Sequence, residues 1–154
     1  MPPENYVQVR VWDLPVRVFH WAVVLLLAFQ VVTGYLGGAL MRWHGLSGYT
    51  LLALMFARLF WRLGSVVPGL PAMPAWERAA AIANHWTLYA LIFAAAFTGW
   101  ALAGTLRQPL DSIFGVMRIP PIVSGSERGL HEVLERWHSI AAWTLATLVV
   151  VHIV

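Results

Sequence analysis

The amino-acid sequence predicts an all-α protein, a transmembrane four-helix bundle formed as a single domain over residues 1–154. Three observations carry that expectation. Of 154 residues, 60% are hydrophobic and only 11% charged, with a mean hydropathy of +0.70, which is far too apolar for a soluble domain of this length. Four apolar stretches nearly exhaust the chain, and each is near the roughly 20 residues needed to cross about 30 Å of hydrocarbon at about 1.5 Å per residue. The links between them hold most of the prolines and most of the arginines, residues that end helices or prefer water.

The first span is expected at about 18–40. Its apolar run is too long for a signal-peptide core and follows a mixed N-terminal segment, so it reads as a retained helix. Arg42, Trp43 and His44 make a very short link to the second span at about 44–63, so these two helices are antiparallel neighbours. Pro68, Pro71 and Pro74 mark a true loop before the third span at about 85–106. The longest connection, 107–136, contains Pro109, Pro120, Pro121 and the Ser124-Gly125-Ser126 turn, and is expected to cap one end of the bundle. The fourth span, 137–154, is at the lower limit for crossing, and the natural chain is expected to continue beyond Val154. Trp21, Trp61 and Trp86 fall near one membrane face and Trp43, Trp100 and Trp137 near the other, as interfacial aromatic belts require. Read end to end, the chain shows no internal repeat.

The net charge of +3 comes from ten arginines and no lysine, scattered between the apolar stretches. That is loop charge facing a lipid bilayer, with no block of basic residues for a nucleic-acid partner. The arginines divide evenly between the two faces. The acidic residues of the longer loop and the charge of the tight first link favour an N-terminus in the cytoplasm. Cysteine is absent, which excludes disulfides, cysteine-held iron–sulfur clusters and covalently attached haem; a metal must be held mainly by histidine.

Histidine at or inside a membrane span is costly unless partnered, so each is a candidate for function. His20 opens the first span and His44 the second, at the opposite level. His138 opens the fourth on the side of His44, and His152 follows fourteen positions later. Fourteen residues rise about 21 Å and return a side chain to within roughly 40° of its starting direction. His138 and His152 therefore share one helix face at two depths, matched by His44 and His20. Two axial imidazoles on facing helices make a low-spin b-type haem site, so the four histidines predict two stacked haem b groups. Zinc fits less well, because it prefers four ligands in a tetrahedron.

Other residues keep the same register. Arg58 lies fourteen positions after His44, at the level of His20 and His152, and a haem propionate is a suitable partner. Gly34 lies fourteen after His20 and is expected to let the other haem approach the helix, with Gly37 and Gly38 extending the thin edge. His85 opens the third span at the lower level; it is ranked as a propionate partner but competes for an axial role. His131 lies above the membrane, in contact with the upper haem edge or without a role. The plainer readings are interfacial anchoring for single histidines, helix packing for the glycines and snorkelling for Arg58.

The stretch Val11-Trp12-Asp13-Leu14-Pro15-Val16-Arg17-Val18-Phe19-His20-Trp21 resembles the opening of the bacterial cytochrome b561 and hydrogenase-type cytochrome b family. Residues 44–63, with Gly48-Tyr49 and Arg58-Leu59-Phe60-Trp61-Arg62, resemble its second helix, and Trp137-His138 with His152 its fourth. The resemblance covers all four spans. It implies a di-haem cytochrome of the bacterial inner membrane that moves electrons between the quinone pool and a periplasmic donor or acceptor. It also implies ligand pairs His20 with His152 and His44 with His138. Within that resemblance, one class oxidises superoxide and reduces quinone, and others anchor hydrogenases or dehydrogenases. Arg17 and Arg58, or the capping loop around Arg118, are candidates for quinone contact. A reading from a different class is a haem-free membrane anchor or transporter.

Overall fold

The computed structural model describes residues 13–65, 73–106, 112–113, 117–125 and 127–153. Four long helices dominate: α1, Leu14–Leu36; α2, Met41–Gly64; α3, Ala75–Ala103; and α4, Arg128–Ile153. A two-residue antiparallel ladder, β1 (Ser112–Ile113) with β2 (Met117–Arg118), lies in the connection between α3 and α4, pairing Ser112 with Arg118 and Ile113 with Met117.

Helix α1 starts with Pro15 in its first turn, where a missing N–H costs nothing. The side chain of Asp13 does not cap the helix. Its carboxylate instead accepts from Trp61 Nε1 at 3.1 Å and Ser65 Oγ at 3.5 Å, tying the start of α1 to the end of α2. The reversal between the helices is sharper and earlier than the apolar pattern suggests. Gly37 and Gly38 stand at φ 61° and 57°, where a side chain is strained, and a 3-10 turn at Gly38–Leu40 leads directly into α2. Arg42, Trp43 and His44 are thus in the first turn of α2 rather than a link, and Gly37 and Gly38 make the turn beyond α1 instead of extending a thin edge of that helix.

Helix α3 begins ten positions before His85 and α4 nine before Trp137. An apolar run reports the part of a helix bathed in hydrocarbon, whereas its end is set by backbone chemistry such as Pro74 ahead of α3. His131 consequently sits on α4, where its Nδ1 is 2.7 Å from the hydroxyl of buried Thr105. After α3 the chain folds back across the helix end. Trp100 Nε1 donates to the Pro120 carbonyl at 3.0 Å, and a Cβ on Gly104 would collide with the Val123 carbonyl.

Helix α1 packs on α2, α2 on α3 and α3 on α4. The shared core is Val23, Leu51, Met55, Leu88, Tyr89, Ile92 and Leu145, to which every helix contributes. Along each helix these residues fall between its upper and lower functional positions, so an apolar plug separates the two ends of the bundle. The outer faces are apolar as well: Leu25, Phe60 and Ile153 are 70%, 69% and 74% exposed. A surface of that kind needs lipid rather than water against it. By length and composition, α1 and α3 meet the requirement for a membrane span among the described residues, while α2 and α4 carry the additional charged residues.

The two hairpins, α1–α2 and α3–α4, repeat one another. His20-Trp21 and Thr33-Gly34 on α1 recur 65 positions later (20 to 85) as His85-Trp86 and Thr98-Gly99 on α3. Arg42-Trp43-His44 and Thr50-Leu51 on α2 recur 94 positions later (44 to 138) as Arg136-Trp137-His138 and Thr144-Leu145 on α4. Because the connection inside the second hairpin is longer, no single offset aligns both helices, and the linear reading missed the repeat. In this frame Arg58 occupies the place of His152.

Candidate functional site

At the upper level, His44 of α2 and His138 of α4 face each other with ring centroids 6.0 Å apart and planes at 88°. Imidazole–metal bonds of about 2 Å, with about 1 Å more from nitrogen to ring centre, place coaxial rings on one metal about 6 Å apart. The observed separation therefore suits a single ion between the two rings. His44 Nδ1 lies 3.1 Å from the Gln30 carbonyl, and His138 Nδ1 lies 2.9 Å from the Ala95 carbonyl. A carbonyl can only accept, so both Nδ1 atoms carry the proton and both Nε2 lone pairs are free to bind a metal.

Helices α1 and α3 make room for these rings. A Cβ on Gly34 would stand 3.0 Å from His44 Cε1, and one on Gly99 would stand 3.0 Å from His138 Cε1. Gly34 thus lies against the imidazole of His44. Gln30 adds a clamp, with Nε2 donating to the His44 carbonyl at 3.1 Å.

The lower level brings together His20 of α1, Arg58 of α2, His85 of α3 and His152 of α4. Arg58 Nη1 is 3.1 Å from His20 Nδ1; since a guanidinium only donates, that nitrogen accepts. The rings of His85 and His152 meet edge to face with centroids 4.9 Å apart, too close for a metal between them as they stand. His85 Nδ1 donates to the Ala81 carbonyl at 2.8 Å, while His152 Nδ1 is 3.2 Å from Asn84 Nδ2. His20 lies within electrostatic reach of Arg58, His152 and His85. Arg17 is exposed at the same end, three positions ahead of His20.

Two buried donors in this region lack a partner, Arg58 Nε and the Tyr89 hydroxyl, and the Arg58 guanidinium lies 5.5 Å from the Tyr89 ring centre. Unpaired buried donors are expensive, and a carboxylate such as a haem propionate is the acceptor they would take. Among the described residues, no group of three or more histidines and carboxylates converges to hold a bare metal ion. The paired imidazoles of His44 and His138, with Nε2 free, are a donor set that a planar macrocycle with two axial ligands would use. The side chain of Arg118 lies outside the described residues.

Sequence reasoning missed Gln30, Thr33, Thr98, Gly99, Asn84 and Tyr89. The repeated Thr-Gly step was the available signal for three of them, hidden by the unequal offsets.

The model of the prokaryotic cytochrome b561 family matches residues 11–154 of the chain. Among curated proteins, the chain is similar to cytochrome b561 homolog 2 of Escherichia coli (strain K12), with 31% identity over 112 residues. The match takes in 71% of this chain and 57% of that relative, so the chain spans little more than half the relative's length. The chain belongs to the prokaryotic cytochrome b561 family.

Proposed function

We propose that this cytochrome holds two haem b groups, one between His44 and His138 and a second at the level of His20, His85 and His152, and carries electrons across the membrane between them. The observation that carries the reading is the opposed pair of Nδ1-protonated imidazoles at 6.0 Å, with a second histidine level fourteen residues along the same helix. Each haem, when bound, supplies a one-electron couple; the protein supplies position, charge and insulation. Levels about 20 Å apart along the bundle axis suit a single internal transfer through the apolar plug.

For the lower level, His20 with His152 is the proposed axial pair. The Arg58–His20 hydrogen bond would then give way, so that Arg58 meets a propionate and its buried Nε gains an acceptor. A specific observation favours a second pairing: His85 already presents its Nε2 lone pair through the bond from Nδ1 to Ala81, beside His152. Single alanine variants of His20 and His85 decide between them. The axial ligand's loss removes the lower haem, whereas loss of the other leaves two haems with one shifted spectrum. Likewise, His138→Ala is expected to lose one haem and His152→Ala the other; full occupancy of both haems in either variant overturns the assignment.

On this reading the chain lies in the bacterial inner membrane with its N-terminus in the cytoplasm. The family resemblance points to quinone on one side and a periplasmic donor or acceptor on the other. In the superoxide reaction, two superoxide ions each give up one electron to become dioxygen, and one quinone takes two electrons and two protons. Steady turnover by the isolated protein with superoxide and a quinone analogue supports an autonomous enzyme. No turnover, together with a co-purifying hydrogenase or dehydrogenase, supports a docking subunit.

A further inference from the structure

We propose that the duplicated Thr-Gly steps, Thr33-Gly34 for His44 and Thr98-Gly99 for His138, are matched seats that fix the protonation and the right-angled orientation of the two upper imidazoles. The inference rests on the reading that these histidines hold one haem. It assigns four positioning residues to that site.

The two seats agree atom by atom. A Cβ on Gly34 would lie 3.0, 3.2 and 3.9 Å from His44 Cε1, Nδ1 and Nε2, and a Cβ on Gly99 would lie at the same three distances from His138. Thr33 Oγ1 donates to its own helix at the Phe29 carbonyl, 2.7 Å away, and lies 3.3 Å from His44 Nδ1. Thr98 Oγ1 donates to the Ala94 carbonyl, also at 2.7 Å, and lies 3.4 Å from His138 Nδ1. With the hydroxyl proton committed backward along the helix, only an oxygen lone pair faces each ring. Each Nδ1–H is therefore met by two acceptors, a backbone carbonyl and a threonine hydroxyl, and no donor.

Three consequences follow for the residues themselves. The paired acceptors hold each imidazole in the tautomer that leaves Nε2 free, and draw on the N–H so that the ring donates more strongly to a metal. The glycine lets the Cε1–Nδ1 side of the ring come close to the helix; with a Cβ there the ring would have to shift by a few tenths of an ångström. The seats are on α1 and α3, which the repeat relates to one another, and the rings they hold cross at 88°. The lower level has no such pair of seats, since Arg58 faces His20 Nδ1 and Asn84 faces His152 Nδ1.

The test uses the full chain, purified with its haems, and reads electron paramagnetic resonance of the oxidised protein and the midpoint potential of each haem. Perpendicular axial rings give a strongly anisotropic low-spin signal, and that signal should vanish in His138→Ala. Gly99→Ala should shift its largest g value and leave the other haem's signal in place. Thr98→Val and Thr33→Val should each raise the potential of the same haem by similar amounts, with Thr98→Ser restoring it. A helix-packing role alone would not be rescued by serine with the potential as readout. If both valine variants keep two haems with unchanged potentials and g values, the seat proposal fails. It also fails if the haem that moves is the one lost in His152→Ala. Should Gly99→Ala not assemble, the threonine variants still decide. Two haems retained in His138→Ala would instead overturn the ligand assignment beneath it, a distinct result.

Discussion

Arg58 shows how one side chain can differ from its structural counterpart and change what its level does. It stands where the second hairpin carries His152, fourteen residues after an Arg-Trp-His step, and its guanidinium spans His20 and the face of Tyr89. A charge at that depth is expensive unless paired, so its partners must be polar or aromatic. Arg58→Leu removes a charged hydrogen bond worth about 1.5–3 kcal/mol and is expected to weaken lower-haem retention by roughly 10- to 100-fold. The upper haem should be retained, and Arg58→Lys should fall between. Haem content after dilution in detergent, resolved by the spectra of the two groups, checks this. The fourteen-residue spacing of His138 with His152 and of His44 with Arg58 is legible in the sequence as one register. The threonines were not legible, because a threonine in an apolar helix commonly bonds back to its own backbone and gives no outward sign of a second partner.

Two connections between helices illustrate where sequence patterning stops. The hydrophobic run passes through Gly37 and Gly38 without interruption, yet the backbone turns there, since two successive positive φ values are open to glycine at little cost. Gly37, at φ 61° and ψ −149°, lies in a region that is essentially closed to other residues. Gly37→Ala is therefore expected to cost about 1–3 kcal/mol, seen as a lower temperature for loss of the Soret band with haem stoichiometry unchanged at ambient temperature. At the other long connection, Thr105 and His131 join the end of α3 to the first turn of α4 at 2.7 Å. His131→Ala leaves the buried threonine hydroxyl with only its bond to the Leu102 carbonyl, and should destabilise the bundle by about 1 kcal/mol without altering either haem. Loss of a haem in that variant would give His131 a ligand-side role instead.

Taken as one molecule, the chain is two copies of a helical hairpin that meet at an apolar plug, with matched histidines above it and unmatched groups below. The upper level keeps the symmetry of the repeat: His44 and His138 are equivalent, as are their seats. The lower level breaks it, with His20 and His85 equivalent but Arg58 opposed to His152. Four helices and the two levels could be read from hydropathy and spacing alone, because a bilayer fixes helix length and 3.6-residue periodicity fixes facing. The sequence does not rank His20, His85 and His152 so clearly, since all three reach one depth while their hydrogen-bond partners differ. The two levels should accordingly differ in redox behaviour, giving two separable one-electron waves in a potentiometric titration; a single wave of one-haem amplitude would show that only one level is filled.

The most direct test of two haem sites on one chain is the haem-to-protein ratio of the purified protein, measured as the pyridine haemochrome against protein determined by amino-acid analysis. Two haem b per chain is the expected value. A ratio of one in fully loaded protein would contradict the two-level account and confine the cofactor to a single histidine pair.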